Sequence, residues 1–415
     1  MIIKNFHDLA LNNKRKLALE IIETGLKALD YEKVLRNINL NFENYKNIFL
    51  IGFGKGSAEI SKILGKKINF SEGYVIDLKK PKDFPQKINF YQGTHPLPSR
   101  ENFEFTKKVI ERFKGRLTKD DLVVVVICGG GSAMFVYPAK ISLERKIQIN
   151  QELLKSGANI YEMNIVRKHM SLVKGGGLCK VLYPAKVLSL IVSDVPGNDL
   201  SIIASGPTVK DLSTKDDALK IIKKYDLSVK KRDLIETPKE DKYFENVENK
   251  LILSNLTALK AMKKKAEELG FTGKILSDNL KGEVRDVARK LLKKIQNSKE
   301  KILLFGGETT VKVKGKGKGG RNLELVLWFL KYAYLRRKNK IKPLIISINS
   351  DGWDNTEYAG GVGDELTIKK AIRKKLEIDE FLENNDSFNF FKKVKDGIIT
   401  GRLNVNVSDI ILVMK

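Results

Sequence analysis

The run Leu122-Val123-Val124-Val125-Val126-Ile127, followed at once by Cys128-Gly129-Gly130-Gly131-Ser132, decides the fold class. Six consecutive aliphatic residues leave no polar face for solvent, so the strand they form is covered on both sides, as strands of parallel sheets are. Glycines at its end uncover backbone N–H groups where a helix begins, a combination that suits an anion. The same layout recurs outward from this point. Strand-like runs at 47–51, 73–76 and 187–192 alternate with helical stretches near 57–64, 99–113 and 142–156, after an amphipathic helical start over 8–36. A charged stretch, 210–248, is poor in strand signal and reads as the boundary between two domains. Beyond it come strands at 251–254, 274–276, 302–305 and 344–348, helices at 256–269, 282–296, 323–336, 367–375 and 387–394, and an apolar closing run, 410–414. The chain is therefore read as α/β with two domains, 1–235 and 236–406, and a strand near 407–415 that is free to return to the first.

Composition narrows the function classes. Hydrophobic residues make up 42% and charged residues 31% of the 415, as in soluble globular proteins, and no apolar run approaches the roughly 20 residues of a membrane helix. The start, Met1-Ile2-Ile3-Lys4, lacks the layout of a secretory signal. Cys128 and Cys179 are the only cysteines, so a reducing, cytoplasmic setting is expected. The net charge of +27 raises the possibility of nucleic acid. The lysines, however, are dispersed and no nucleic-acid module is recognisable, which favours a small anionic substrate. With three histidines in all, acid–base chemistry falls on Lys, Asp or Glu.

Six loops carry the candidate chemistry. In Ile51-Gly52-Phe53-Gly54-Lys55-Gly56-Ser57, an ammonium among glycines at a helix start calls for an anion, making Lys55 a catalytic candidate and Gly54, Gly56 and Ser57 phosphate or substrate ligands. Gly130, Gly131 and Ser132 form a second anion nest. Lys174 precedes a glycine triplet after Arg167-Lys168-His169 and is a third ligand candidate. Asp194, fixed by Val195-Pro196-Gly197, suits a general base or a metal ligand. In the last pair of loops, Leu304-Phe305-Gly306-Gly307-Glu308 reads as a strand and a double-glycine turn, followed by a basic hairpin and Gly319-Gly320-Arg321-Asn322 opening a helix. Gly307, Glu308, Arg321 and Asn322 are the candidates there. Asp351, beside Gly352, is the candidate Mg²⁺ contact, with Asp354 and Asp364 as turn residues or further ligands. Anion nests, fixed cations and separated carboxylates suit phosphoryl transfer. A hydride-cofactor fingerprint, a catalytic triad and a zinc motif are missing.

These loops, in this order, resemble the glycerate 2-kinase family, whose C-terminal half is the MOFRL domain. The matching stretches are 52–60 (GFGKGSAEI), 93–102, 128–133, 164–176, 193–208 (SDVPGNDLSIIASGPT), 306–322 and 350–365. The resemblance implies two α/β/α sandwich domains with mainly parallel sheets, an active site in a cleft between them, and phosphorylation of D-glycerate to 2-phosphoglycerate with ATP and Mg²⁺. It implies that Lys55 and Arg321 are the central basic residues and that Asp194 and Asp351 are the site carboxylates. A monomer or homodimer that engages neither membrane nor nucleic acid is expected. The C-terminal loop departs from the family pattern. In 401–409 only Gly401, Asn406, Val407 and Asp409 match, which leaves the hydroxy acid open. Two other readings stand beside this one: a reductase of hydroxypyruvate or tartrate metabolism, and a non-catalytic basic protein that binds nucleotides or nucleic acid.

Overall fold

The computed structural model describes residues 1–36, 38, 42, 44–335 and 341–415. They form two compact units, one made of Val34–Ile252 and the other of Met1–Lys33 with Leu253–Lys415.

The 34–252 unit is built on six strands: β1 (Asn47–Phe53), β2 (Glu72–Asp77), β3 (Ile88–Gln92), β4 (Asp121–Ile127), β5 (Lys186–Val192) and β6 (Val247–Leu253), in the order β3-β2-β1-β4-β5-β6. The pairs from β3 through β5 are all parallel. Every residue of β4 is buried, as its aliphatic run requires, and each fully buried Val or Ile contributes about 2 kcal/mol. The chain steps from β1 to β2 and β3 on one side, then crosses to β4 and β5 on the other. The loops after β1 and β4 therefore leave in opposite directions, and a crevice opens between the carboxyl ends of these two strands. Their register is level, with Phe53 paired to Ile127, so both glycine loops start at the same height.

Residues 210–248 belong to this unit, and the division falls at 252/253 rather than near 236. The charged stretch conceals an amphipathic helix, Lys215–Lys224, whose Ala218, Ile221 and Ile222 pack with Ile149, Leu153, Val166 and Met170. Its lysines face outward, which is why the segment reads as a linker.

The second unit has β7 (Gly273–Glu283), β8 (Ile302–Thr310), β9 (Leu344–Asn349), β10 (Gly360–Gly363), β11 (Gly397–Ile398) and β12 (Asp409–Met414), in the order β11-β10-β9-β12-β8-β7. This sheet is mixed. β7 and β8 are parallel, whereas β12 lies antiparallel between β8 and β9. The closing strand thus completes the second sheet and does not return to the first. The expected helix 323–336 is observed as Arg321–Leu330, with one wider turn to Leu335; residue 336 lies outside the described residues.

The N-terminal helix Asn13–Lys27 also belongs here. Arg15, fully buried, donates through Nε and Nη2 to Asp364 (2.8 and 2.6 Å) and through Nη1 to Asp396 (2.7 Å). Asp364 at the same time caps the helix Glu365–Arg373. A guanidinium with two buried carboxylates fixes where this helix goes, and the 1–235 domain expected from the sequence loses its first 33 residues to the other unit.

Candidate active site

In the 34–252 unit the loops after β1, β4 and β5 meet at the crevice. Gly54 has φ +102°, and a Cβ there would lie 2.3 Å from the carbonyl oxygen of Cys128. Only glycine allows that approach, and the next residue uses it: the Lys55 N–H donates to the Gly129 carbonyl at 2.8 Å. A Cβ on Gly129 would in turn lie 2.1 Å from Asp194 Oδ2, and one on Gly130 would lie 2.8 Å from the ring of His95. Lys55, Asp194 and His95 thus come from three strand ends and are packed together across bare backbone. Burial raises the pKa of Asp194, and Lys55 partly offsets the rise. Burial lowers that of His95, and Lys55 adds to the fall.

Asp77, at the end of β2, is the residue the sequence reading missed. Its Oδ2 accepts from the N–H groups of Gly56 (2.9 Å) and Ala58 (3.1 Å), and its Oδ1 from Leu78 N–H (2.7 Å). The helix start at Ser57, reserved in the sequence for a ligand anion, is therefore held by the protein's own carboxylate. Burial raises Asp77 to about 6, against the pull of three N–H groups and Lys55. Ser57 is buried and donates to the Ile76 carbonyl at 3.1 Å. Gly56 and Ser57 accordingly shape the loop. The available signal was an apolar run, Tyr74-Val75-Ile76, ending in a lone carboxylate at a strand's carboxyl edge.

The loop after β4 is held from beneath. Ser132 Oγ lies 2.9 Å from Ser205 Oγ, which donates to Asn164 Oδ1 at 2.7 Å. Lys174, expected to meet a ligand, is 1% exposed, and its Nζ donates to the carbonyls of Ser132 (2.9 Å), Ala204 (3.4 Å) and Phe135 (3.5 Å). Burial drives its pKa well below the usual lysine range. Three backbone acceptors match an ammonium's three donors, so this lysine ties loops together. His169 is likewise structural, set between the Ile165 carbonyl and Glu236.

In the second unit Arg321 opens its helix and spans two carboxylates, with Nε to Asp409 Oδ2 and Nη1 to Glu308 Oε1, both at 2.8 Å. These partners raise its pKa despite burial. Asp354 accepts from the N–H groups of Asn322 (3.1 Å) and Leu323 (2.9 Å), so this helix start too is capped from within, and burial lifts Asp354 to about 6. Asn322 is buried, bonded to Asp354, Asp409 and Ser347. Gly306-Gly307 is no turn. β8 runs straight through it, because a Cβ on Gly307 would lie 2.1 Å from the Leu280 carbonyl oxygen of β7. Nor is 312–318 a hairpin: the backbone N–H groups of Lys314, Lys316, Gly317 and Lys318 bond to Asn384, Asn385 and Asp386.

Asp351 is partly exposed, and its Oδ1 accepts from Trp353 N–H at 2.9 Å. The altered 401–409 segment packs on this turn: Leu403 N–H donates to the Asp351 carbonyl and the Arg402 guanidinium lies 4.2 Å from the Trp353 ring centre. Among the described residues no three His, Cys, Asp or Glu side chains gather as a metal cage. One accessible carboxylate still fits Mg²⁺ that is held mainly by phosphate oxygens and water.

Residues 17–236 match the family described as a domain of unknown function, DUF4147, and residues 301–409 match the MOFRL family. The chain is 36% identical to a D-glycerate 2-kinase of Thermotoga maritima over 96% of this chain and 97% of that one. It is 37% identical to a putative hydroxypyruvate reductase of Agrobacterium vitis over 78% and 76%. A crystal structure of a glycerate kinase from Thermotoga maritima superposes with a TM-score of 0.85, at 35% identity, over 96% of this chain and 98% of the other. Among the described residues no helix is long and apolar enough to cross a membrane.

Proposed function

The chain belongs to the glycerate 2-kinase family, and we propose that it transfers the γ-phosphoryl group of ATP to the 2-hydroxyl of D-glycerate, giving 2-phosphoglycerate and ADP. The observation that carries this reading is Asp194: a half-buried carboxylate of raised proton affinity, lying over Gly129 and within the field of Lys55. Such a group accepts the proton of a hydroxyl as the oxygen attacks phosphorus and the bond to the β-phosphate oxygen breaks. Lys55 neutralises charge on the transferring group, and Arg321 meets phosphate or carboxylate oxygens through the edge that Glu308 and Asp409 leave uncovered. Mg²⁺, when bound, neutralises phosphate charge. Asp351 is the protein contact we assign to it, and the rest of its shell falls to ATP and water.

A coupled assay of ADP release across a panel of small hydroxy acids tests the reading, with ³¹P NMR to place the phosphate on the 2- or 3-oxygen. Turnover with D-glycerate giving the 2-phosphate is expected. Loss of NADH absorbance with hydroxypyruvate, without ADP release, would support the reductase instead. Within the kinase reading the two carboxylates separate. Asp351→Asn raises the Mg²⁺ concentration needed for half-maximal rate, whereas Asp194→Asn lowers the rate at every Mg²⁺ concentration. Equal Mg²⁺ dependence in both variants and the parent would remove Asp351 from the metal.

A further inference from the structure

Among the described residues, three cations of the 34–252 unit, Lys146, Arg167 and Lys174, pair with no carboxylate. Lys146, on the helix Leu143–Lys155, is 1% exposed, and among the described residues its ammonium donates to no acceptor. Arg167, on the helix Ile160–His169, is partly buried and uses only Nε, which donates to Asn150 Oδ1 at 3.1 Å; its two terminal nitrogens have no partner there. Asn150 lies one turn along from Lys146, so the two helices face each other through this contact. Lys174 is tied to the Arg167 helix, its Nζ donating to the Ser132 carbonyl while Ser132 joins Ser205 and, through it, Asn164; burial, with Lys146 and Arg167 adding repulsion, lowers its proton affinity. Burial, with Arg167 adding repulsion, brings Lys146 down to about 7.

A buried cation with nothing to meet it is among the least favourable things a protein interior holds. Among the described residues the deeply buried cations Arg15 (by Asp364 and Asp396), Lys168 (by Asp211) and Lys174 (by three carbonyls) are matched, which leaves Lys146 and the outer edge of Arg167 as the unmatched members. The unmatched group is also placed where the chemistry is. Asn164, on the same helix as Arg167, reaches Ser205 and through it Ser132, in the loop that carries Gly129 beneath Asp194.

We propose that the Lys146 ammonium and the open edge of the Arg167 guanidinium, with Asn150 and Lys174 behind them, form a pocket for one small oxyanion: the carboxylate of the hydroxy acid. The naming of the carboxylate rests on glycerate being the substrate, whereas the oxyanion pocket does not. A planar fork takes two oxygens side by side, and an ammonium takes a remaining lone pair. Held there, the acid is anchored by its unreactive end, and the pocket selects hydroxy acids over polyols.

The test uses the full chain and two variants, Lys146→Met and Arg167→Lys, titrated calorimetrically with D-glycerate, glycerol and inorganic phosphate, and separately with a non-hydrolysable ATP analogue. D-glycerate affinity falls at least ~100-fold in Lys146→Met and ~10-fold in Arg167→Lys, whose ammonium lacks the fork. Binding of the ATP analogue is unchanged, and the KM for glycerate rises more than kcat falls. Lys146→Met melts no lower than the parent, because it removes an unmatched buried charge; a lysine that served only packing would give a lower Tm. Parent-like glycerate affinity in both variants overturns the proposal, as does a lowered Tm with all affinities intact. If Lys146→Met does not fold, Arg167→Lys, which keeps the charge, decides alone. If the parent binds inorganic phosphate through these residues but binds no glycerate, the pocket stands and the glycerate reading fails.

Discussion

Asp77→Asn probes the internal carboxylate that holds the Lys55 loop. Asp77 titrates at about 6 in the folded chain and near 3.9 when unfolded, a gap of about 2 units. A carboxyl whose folded pKa is raised contributes stability that is fully present below the unfolded value and is lost as pH climbs through the folded one. Integrating the difference in bound protons gives a loss of about 2 kcal/mol from this group between about pH 4.5 and 7.5. An amide in the same place does not ionise, and its oxygen still accepts from the Gly56 and Ala58 N–H groups. The variant is therefore expected to gain on the parent as pH rises. Urea denaturation followed by circular dichroism, at about pH 4.5, 6 and 7.5, reads the difference between the two proteins at each pH, so the titrations of other groups cancel. A difference that stays flat, or that moves the other way, refutes the burial argument for Asp77 and with it the view that this carboxylate, rather than a ligand, satisfies the helix start.

Further outcomes follow from the same geometry. Lys55→Ala loses at least ~100-fold in turnover with an unchanged circular dichroism spectrum, since its side chain is only half-buried; parent-like turnover removes it from the chemistry. Arg321→Lys loses at least ~10-fold, because one ammonium cannot span Glu308 and Asp409 and still present an edge; full activity would refute the fork. Arg15→Met leaves the buried Asp364 without its counter-ion and Asp396 with Lys370 alone, and lowers unfolding free energy by about 3–5 kcal/mol. Hydrogen exchange places that loss in β10 and the helix Glu365–Arg373 if residues 1–33 belong to the second unit, and in β1–β5 if they do not.

The strands were legible because burial on both faces writes itself into composition. Val123–Ile127 and Ile410–Met414 admit little else, and glycines after such runs pointed to the crevice loops with Lys55 and Asp194. What stayed hidden was pairing at a distance. Asp77 reaches Gly56 across 21 residues and Arg321 reaches Asp409 across 88, and no local pattern announces such partners. Helix starts rich in glycine looked like sites for foreign anions because their internal caps, Asp77 and Asp354, come from other elements. Gly306-Gly307 was misread for a related reason. A glycine pair is the ordinary sign of a turn, and only the neighbouring strand reveals that the missing Cβ makes room for Leu280. Arg15 offered one clue that went unused, a charged residue within the apolar face of an amphipathic helix.

The placement of β12 has a consequence for how the molecule is made. Arg15 emerges from the ribosome 349 residues before Asp364, and the strand that fills the middle of the second sheet, between β8 and β9, is the last to be synthesised. Residues 34–252 are complete long before either event, so they can condense as an insert while the first 33 residues wait. Until Asp409–Met414 arrives, β8 and β9 keep open edges toward each other, the kind of edge that recruits foreign strands. Removing Asp409–Met414 would take away the centre of a sheet rather than its margin, leaving the insert intact with the second body unfinished.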